Sequence, residues 1–369
     1  MNHSFPVPVR GALSNLSPYS PGKPIWELQQ ELGISNIIKL ASNENSLGPS
    51  PKALEAIAQS LSDLHRYPDA TTTRLREALA AHHQMNPEQF IISNGGDELI
   101  TLIAEAFLEP EDEVIICSPS FSEYEFSTLL MGATIVHVPL DHSFQFDRDA
   151  IINAVTARTR LLCLCSPNNP TGTYLSREDL RYILDTLSKD ILVLLDAAYG
   201  NFATASDYTD GIEFVRIGYP LIVLQTFSKL YGLAGLRVGY GVANETLIQL
   251  VVKVKEPFNV NALAQIAATA ALQDHEHVQM TLRTNGEGKL QLYHAFQNMG
   301  LHHVESMGNF ILLEIGDKAK AVYESLMARG IIVRYGVIWN LPNHLRISIG
   351  THEEMSQLTQ TLAEIIANN

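Results

Sequence analysis

Between Glu113 and Gln225 the sequence alternates short apolar runs with amphipathic stretches of helical period. The runs are EVIIC (113–117), ATIVHVP (133–139), RLLCLC (160–165), ILVLL (191–195) and LIVLQ (221–225). Each is strand-length, and the most apolar of them show no polar face. The intervening stretches Phe121 to Met131, Asp147 to Val155 and Ser176 to Leu187 read as helices. Strands buried on both faces and separated by helices mean a mostly parallel sheet sandwiched by helices. The chain is therefore expected to be α/β, with this large domain over residues 46–260. Residues 1–45 read as an N-terminal arm with a segment of a smaller domain. Residues 261–369 read as that smaller α+β C-terminal domain, joined by a long polar helix from about His275 to Met299.

The composition excludes several classes of function. Hydrophobic residues make up 46% and charged residues 18% of the 369 residues, so a substantial core is available. The formal net charge of −15 argues against nucleic acid or an anionic membrane as the main partner. Any anion site must then be built locally from clustered cations. The three cysteines, Cys117, Cys163 and Cys165, show no metal spacing, and Cys163 and Cys165 project from one face of a strand. They read as reduced thiols of a cytoplasmic protein. The opening MNHSFPVPVR lacks the apolar stretch of a secretory signal, and no run approaches the ~20 residues of a membrane span. His275, His277, His302 and His303 have no accompanying ligand set, so no metal is expected.

In a parallel sheet of this kind, ligands sit outside the carboxyl ends of the strands. The residues that follow each run are accordingly the informative ones. SPNNPTG (166–172) follows RLLCLC, Asp196-Ala197-Ala198-Tyr199 follows ILVLL, and Thr226-Phe227-Ser228-Lys229 follows LIVLQ. A lysine just past a buried strand is costly to desolvate unless its surroundings compensate. Here a hydroxyl precedes it, Gly232 and Gly235 permit close backbone approach, and Arg237 lies eight positions on. That grouping suits a Schiff-base lysine beside a bound phosphate. Asp196, at the end of an apolar strand, needs a cationic or donor partner such as a pyridinium nitrogen, or else caps the following segment. Asn94-Gly95-Gly96-Asp97-Glu98 joins a strand to a helix N-terminus, a geometry open to phosphate and equally to a tight turn capped by Asp97. Arg334 and Arg346, near the end of the chain, can clamp an anionic group or serve as surface ion-pair residues.

Taken together, SPNNPTG, Asp-x-x-Tyr after a strand, and TFSKLYGLAGLRVGY resemble the fold-type I pyridoxal-phosphate aminotransferases. LASNEN, HRYPD, the GGDE loop, EPFNVN and LRISIG resemble the histidinol-phosphate aminotransferase branch of that family. The resemblance runs from about Asn15 to Ile366. It implies pyridoxal 5'-phosphate as cofactor, held by Lys229, with Asp196 on the ring nitrogen and Asn169 and Tyr199 on the phenolic oxygen. It implies that Tyr124 stacks on the ring. Gly96, Asp97, Thr226, Ser228 and Arg237 would line the phosphate pocket. Tyr67 would reach the cofactor phosphate of a neighbouring subunit, which implies a homodimer. Arg346, Arg334, Tyr19, Asn43 and Asn169 would meet the substrate. Lys229, Asp196 and Tyr199 would be the catalytic residues. The reaction implied is amino transfer between L-histidinol phosphate and 2-oxoglutarate in ping-pong order. The competing readings are an aromatic amino acid aminotransferase of the same branch, a lyase or decarboxylase acting on a phosphate substrate, and a non-catalytic cofactor-binding regulator. Where the family usually has Asp-Glu-Ala-Tyr, this chain has Asp196-Ala197-Ala198-Tyr199.

Overall fold

The computed structural model describes residues 7–16, 25–34 and 36–368. Its strands are β1 (Ile38–Lys39), β2 (Phe90–Ser93), β3 (Glu113–Ser118), β4 (Thr134–Pro139), β5 (Thr159–Cys165) and β6 (Leu192–Asp196). They continue with β7 (Leu221–Thr226), β8 (Gly239–Val242), β9 (Phe310–Glu314), β10 (Ile331–Ile332), β11 (Arg334–Tyr335) and β12 (His344–Ser348). Seven of them form the central sheet in the order β2-β8-β7-β6-β5-β3-β4. The mostly parallel arrangement expected from the apolar runs is present. The exception is β8, which runs antiparallel to both β2 and β7.

Alternation along each strand splits the core into two layers. Leu162, Leu164, Val193 and Leu195 pack on one face of the sheet with the helix Arg177–Thr186. Leu161, Cys163, Cys165, Leu192 and Leu194 pack on the other with the helix Gly96–Phe107. Cys163 and Cys165 thus share a face, and all three cysteines are buried free thiols. A third apolar cluster joins β9, β12 and the helices His275–Asn298, Ala319–Ala328 and His352–Ala367. The last helix is fixed at its start by a capping box in which Thr351 and Glu354 exchange side-chain and backbone hydrogen bonds.

The chain's first strand belongs to this third cluster. β1 pairs in parallel with β10, and Ile38 and Leu40 pack beside Ile331 and Ile347. β9, β12 and β11 make a separate antiparallel sheet in which Arg334 stands opposite Arg346. The segment 41–48 leaves β1 and crosses to the large sheet. There it meets the turn after Lys229 at Gly232, where a Cβ would lie 2.2 Å from the Gly48 carbonyl oxygen.

Two local differences from the sequence reading bear on function. The helix expected from Phe121 begins at Glu123, leaving Phe121 and Ser122 in the loop over the carboxyl end of β3. Glu123 and Glu125 occupy the first turn, where the helix dipole favours acidic side chains. The short helix Ile212–Arg216 has too few residues to show a period in the sequence. Among the described residues, no helix is long and apolar enough to cross a membrane.

Gly232 has φ +70° and no room for a side chain. Gly232→Ala is expected to lower stability by about 2 kcal/mol or more, because strain and a backbone clash add. Urea denaturation of the variant against the parent chain measures this.

Candidate active site

A cavity of about 500 Å³ opens at the carboxyl ends of β5, β6 and β7. Gly96, Asp97, Asn169, Asp196, Tyr199, Thr226, Ser228, Lys229 and Arg237 all line it, and so do Asn43, Arg334 and Arg346. The large sheet supplies its floor. The 41–43 loop and the segment 334–346 supply its cover.

Asp196 is the last residue of β6 and is 4% exposed. Its Oδ2 accepts from the Tyr124 hydroxyl at 2.6 Å, and its Oδ1 accepts from the Ala198 amide at 2.9 Å. Among the described residues it forms no ion pair. Burial pushes its pKa up to about 6, against the two hydrogen bonds that favour the anion. A carboxylate held this way calls for a cation or donor delivered from the cavity.

Lys229 sits one turn beyond β7. Its Nζ donates to the Ser42 carbonyl at 3.1 Å and lies 5.6 Å from the centre of the Tyr199 ring. Burial, reinforced by the Arg346 charge, lowers its pKa to about 8. A neutral amine is therefore accessible near physiological pH, as a nucleophile or base requires.

One end of the cavity is built for an anion. The helix Gly96–Phe107 directs its N-terminus there, with free N–H groups and the positive end of its dipole. Thr226 Oγ1 donates to Ser228 Oγ at 2.9 Å and accepts from the Ser228 amide at 3.0 Å, which holds both hydroxyls at the cavity wall. Arg237 adopts φ +55° and pairs with Asp97 at 3.2 Å. Its guanidinium packs on Gly95, where a Cβ would lie 2.5 Å from Nη2. The glycine at position 95 is thus what lets Arg237 reach the loop.

The opposite end carries the two late arginines. Their positions face each other across β11 and β12, where like charges repel unless an anion lies between or beside them. Arg346 is buried and donates through Nη1 to Asn169 Oδ1 and through Nη2 to the Ala41 carbonyl, both at 2.5 Å. With Oδ1 taken, Asn169 has its amide hydrogens left for the cavity. Asn43 is 1% exposed, with φ +54°. Its Nδ2 donates to the Tyr199 hydroxyl at 3.1 Å, its amide donates to Ser348 Oγ at 2.8 Å, and its carbonyl accepts from Asn309 at 3.0 Å. It is an anchored residue of the cavity wall.

The sequence pattern of the family described as "Aminotransferase class I and II" matches residues 35–362. The chain belongs to the class I and II aminotransferase family. Within it, a Moorella thermoacetica protein described as "Histidinol-phosphate aminotransferase" is 45% identical over 97% of this chain and 93% of its own length. A Carboxydothermus hydrogenoformans protein described as "Histidinol-phosphate aminotransferase 2" is 42% identical over 97% of this chain and 99% of its own. Among solved structures, a Sinorhizobium meliloti histidinol-phosphate aminotransferase in complex with pyridoxal-5'-phosphate superposes with a TM-score of 0.90. That similarity holds at 27% identity over 99% of both chains.

Three expectations for this aminotransferase-family chain need comment. Tyr124 does not line the cavity. It is 1% exposed because it lies on the inward side of its helix, where its hydroxyl supports Asp196 from behind. Phe121, edge-on to it at 5.8 Å, lines the cavity instead. Both aromatics follow β3, and it is the helix start at Glu123 that separates them in space. Tyr67 also lies outside this cavity: it is 83% exposed and stacks on Phe258 at 4.8 Å. Tyr19 falls outside the described residues. The sequence reading missed Ser42, whose contribution is a backbone carbonyl. It also missed Trp339, whose position beside Arg346 depends on a turn.

The Asp196 carboxyl has a higher pKa folded than its ordinary value of 3.8, so the ligand-free fold is penalised when it ionises. The penalty is absent below about pH 4 and complete above about pH 6. Asp196→Asn is expected to stabilise the ligand-free chain by about 2–3 kcal/mol at neutral pH, with the gain vanishing below about pH 4. Denaturant unfolding at a series of pH values checks both the size and the sign.

Proposed function

We propose that this chain is a pyridoxal 5'-phosphate-dependent aminotransferase of histidine biosynthesis. It moves an amino group between L-histidinol phosphate and 2-oxoglutarate in ping-pong order. The observation that carries this reading is one cavity holding a buried carboxylate with no direct ion pair among the described residues, a lysine of lowered pKa, a helix N-terminus and two opposed arginines. Full-length relatives above 40% identity bear the corresponding description.

The residues present fit the cofactor. Asp196 would meet the ring nitrogen, which supplies the cation its carboxylate calls for. Asn169 and Tyr199 would donate to the phenolic oxygen. Phe121 would flank the ring. Gly96, Asp97, Thr226, Ser228 and Arg237 would hold the phosphate, and Lys229 would hold the aldehyde carbon. When bound, the cofactor supplies an electron sink for the pair released at the substrate's α-carbon. Lys229 is the base that takes the α-proton and returns it, a role suited to an amine with pKa near 8. Asp196 holds the proton of the ring nitrogen in place. Tyr199, fixed by Asn43, orients the phenolic oxygen. Arg346 and Arg334 bind the phosphate of one substrate and a carboxylate of the other, since both groups accept from a guanidinium fork. The small-domain cover excludes water.

We further propose a cytoplasmic homodimer in which residues 46–260 bind the cofactor and residues 1–45 with 261–369 form the covering domain. Tyr67, Leu54, Leu61, Leu64 and Phe258 are all exposed on the single chain, as a partner surface would require. Sedimentation velocity is expected to give a dimer at micromolar concentration. A monomer would remove the role assigned to Tyr67.

Glutamate formation from L-histidinol phosphate and 2-oxoglutarate tests the reaction directly. Lys229→Ala is expected to abolish it while the fold is kept. Asp196→Asn, stabilising in the ligand-free chain, is expected to slow turnover on the order of a hundred-fold or more. Turnover with L-phenylalanine and none with histidinol phosphate would move the substrate to the aromatic class.

A further inference from the structure

Two aromatic rings flank the Arg346 guanidinium. Its guanidinium carbon lies 4.9 Å from the centre of the Trp339 ring and 5.5 Å from that of Phe310. Its bonds to Asn169 and to the Ala41 carbonyl restrict it further. Phe310 is a fully buried core residue of β9. Trp339 is different. It ends the 3-10 turn Gly336–Trp339, is half-buried, and itself lines the cavity. The turn is specified locally: a Cβ at Gly336 would lie 2.3 Å from the Leu341 carbonyl oxygen, and Asn340 closes the turn at φ +58°.

We propose that Trp339 is the positioning residue for Arg346 and thereby sets affinity for the anionic group of both substrates. The negative face of an aromatic ring attracts a guanidinium and does so more strongly when water is excluded. A guanidinium flanked by two rings and held by two hydrogen bonds has little freedom to turn. Such restraint favours paired N–H···O bonds to a carboxylate or phosphate monoester. The indole acts on ground-state binding of the anion through Arg346. Its loss should therefore appear in KM for both substrates and leave kcat nearly unchanged. This rests on the functional reading above for the identity of the substrates, and not for the anion site itself.

The chain has two tryptophans, Trp26 and Trp339, so the site carries its own reporter. In a Trp26→Phe background, titration with succinate and with inorganic phosphate is expected to change Trp339 emission saturably. Arg346→Ala should remove the change. Steady-state kinetics then compare three substitutions. Trp339→Ala and Trp339→Leu are expected to raise KM for 2-oxoglutarate and for the amino donor about ten-fold, and Trp339→Phe only about two-fold. kcat should stay within about two-fold in all three. Leucine keeps an apolar wall without a π face, so a leucine variant that matches wild type would overturn the proposal, as would an emission insensitive to both anions. Failure of histidinol phosphate to react, with the emission response intact, would overturn the substrate assignment and leave Trp339 in its role.

Discussion

Burial of the central sheet on both faces leaves its strands no place for a charged side chain except their ends. The middle of each strand, 161–164 in β5, 192–195 in β6 and 221–224 in β7, is aliphatic or thiol because a charge there would meet helices on either side. Asp196 and Lys229 lie where that constraint is released, at and just beyond the carboxyl ends of β6 and β7. Even there release is partial. Asp196 is nearly enclosed and its pKa rises, while the Lys229 pKa falls. The same desolvation makes each group reactive: the acid seeks a cation, and the amine gives up its proton near neutrality.

The second organising contact is the return of the N-terminal segment across the cavity. β1 packs with the C-terminal cluster, yet the residues that follow it touch the lysine, Tyr199 and the turn at Gly232. Asn43 concentrates this coupling, since it bonds Tyr199, Ser348 and Asn309 from a buried left-handed backbone position. The cavity therefore exists only when elements more than three hundred residues apart close on one another. Arg346, bonded to both Asn169 and Ala41, ties the same two parts together at the substrate end.

Much of the site was legible because a doubly wound sheet places function at predictable points in the chain. Each apolar run announces a strand, and the polar residues immediately after it must face the crevice. SPNNPTG, Asp196 to Tyr199 and Thr226 to Lys229 were found in that way, and the family motifs assigned their chemistry. Tyr124 and Phe121 show the limit of the method. Both lie after the same strand, and only the packing of the helix start puts one against Asp196 and the other on the cavity wall.

The sequence by itself determined the strand–helix alternation, the reduced thiols, the lysine turn and the family. The first three follow from local periodicity and from glycines and polar residues at fixed spacing, and the family from the resemblance of its motifs. Only the tertiary structure decided the antiparallel course of β8, the burial that shifts Asp196 and Lys229, the bonds from Arg346 to Asn169 and Ala41 and the presence of Trp339 beside it. Those properties arise between residues distant in the chain. Their energies depend on which surfaces exclude water together, and no local pattern records that.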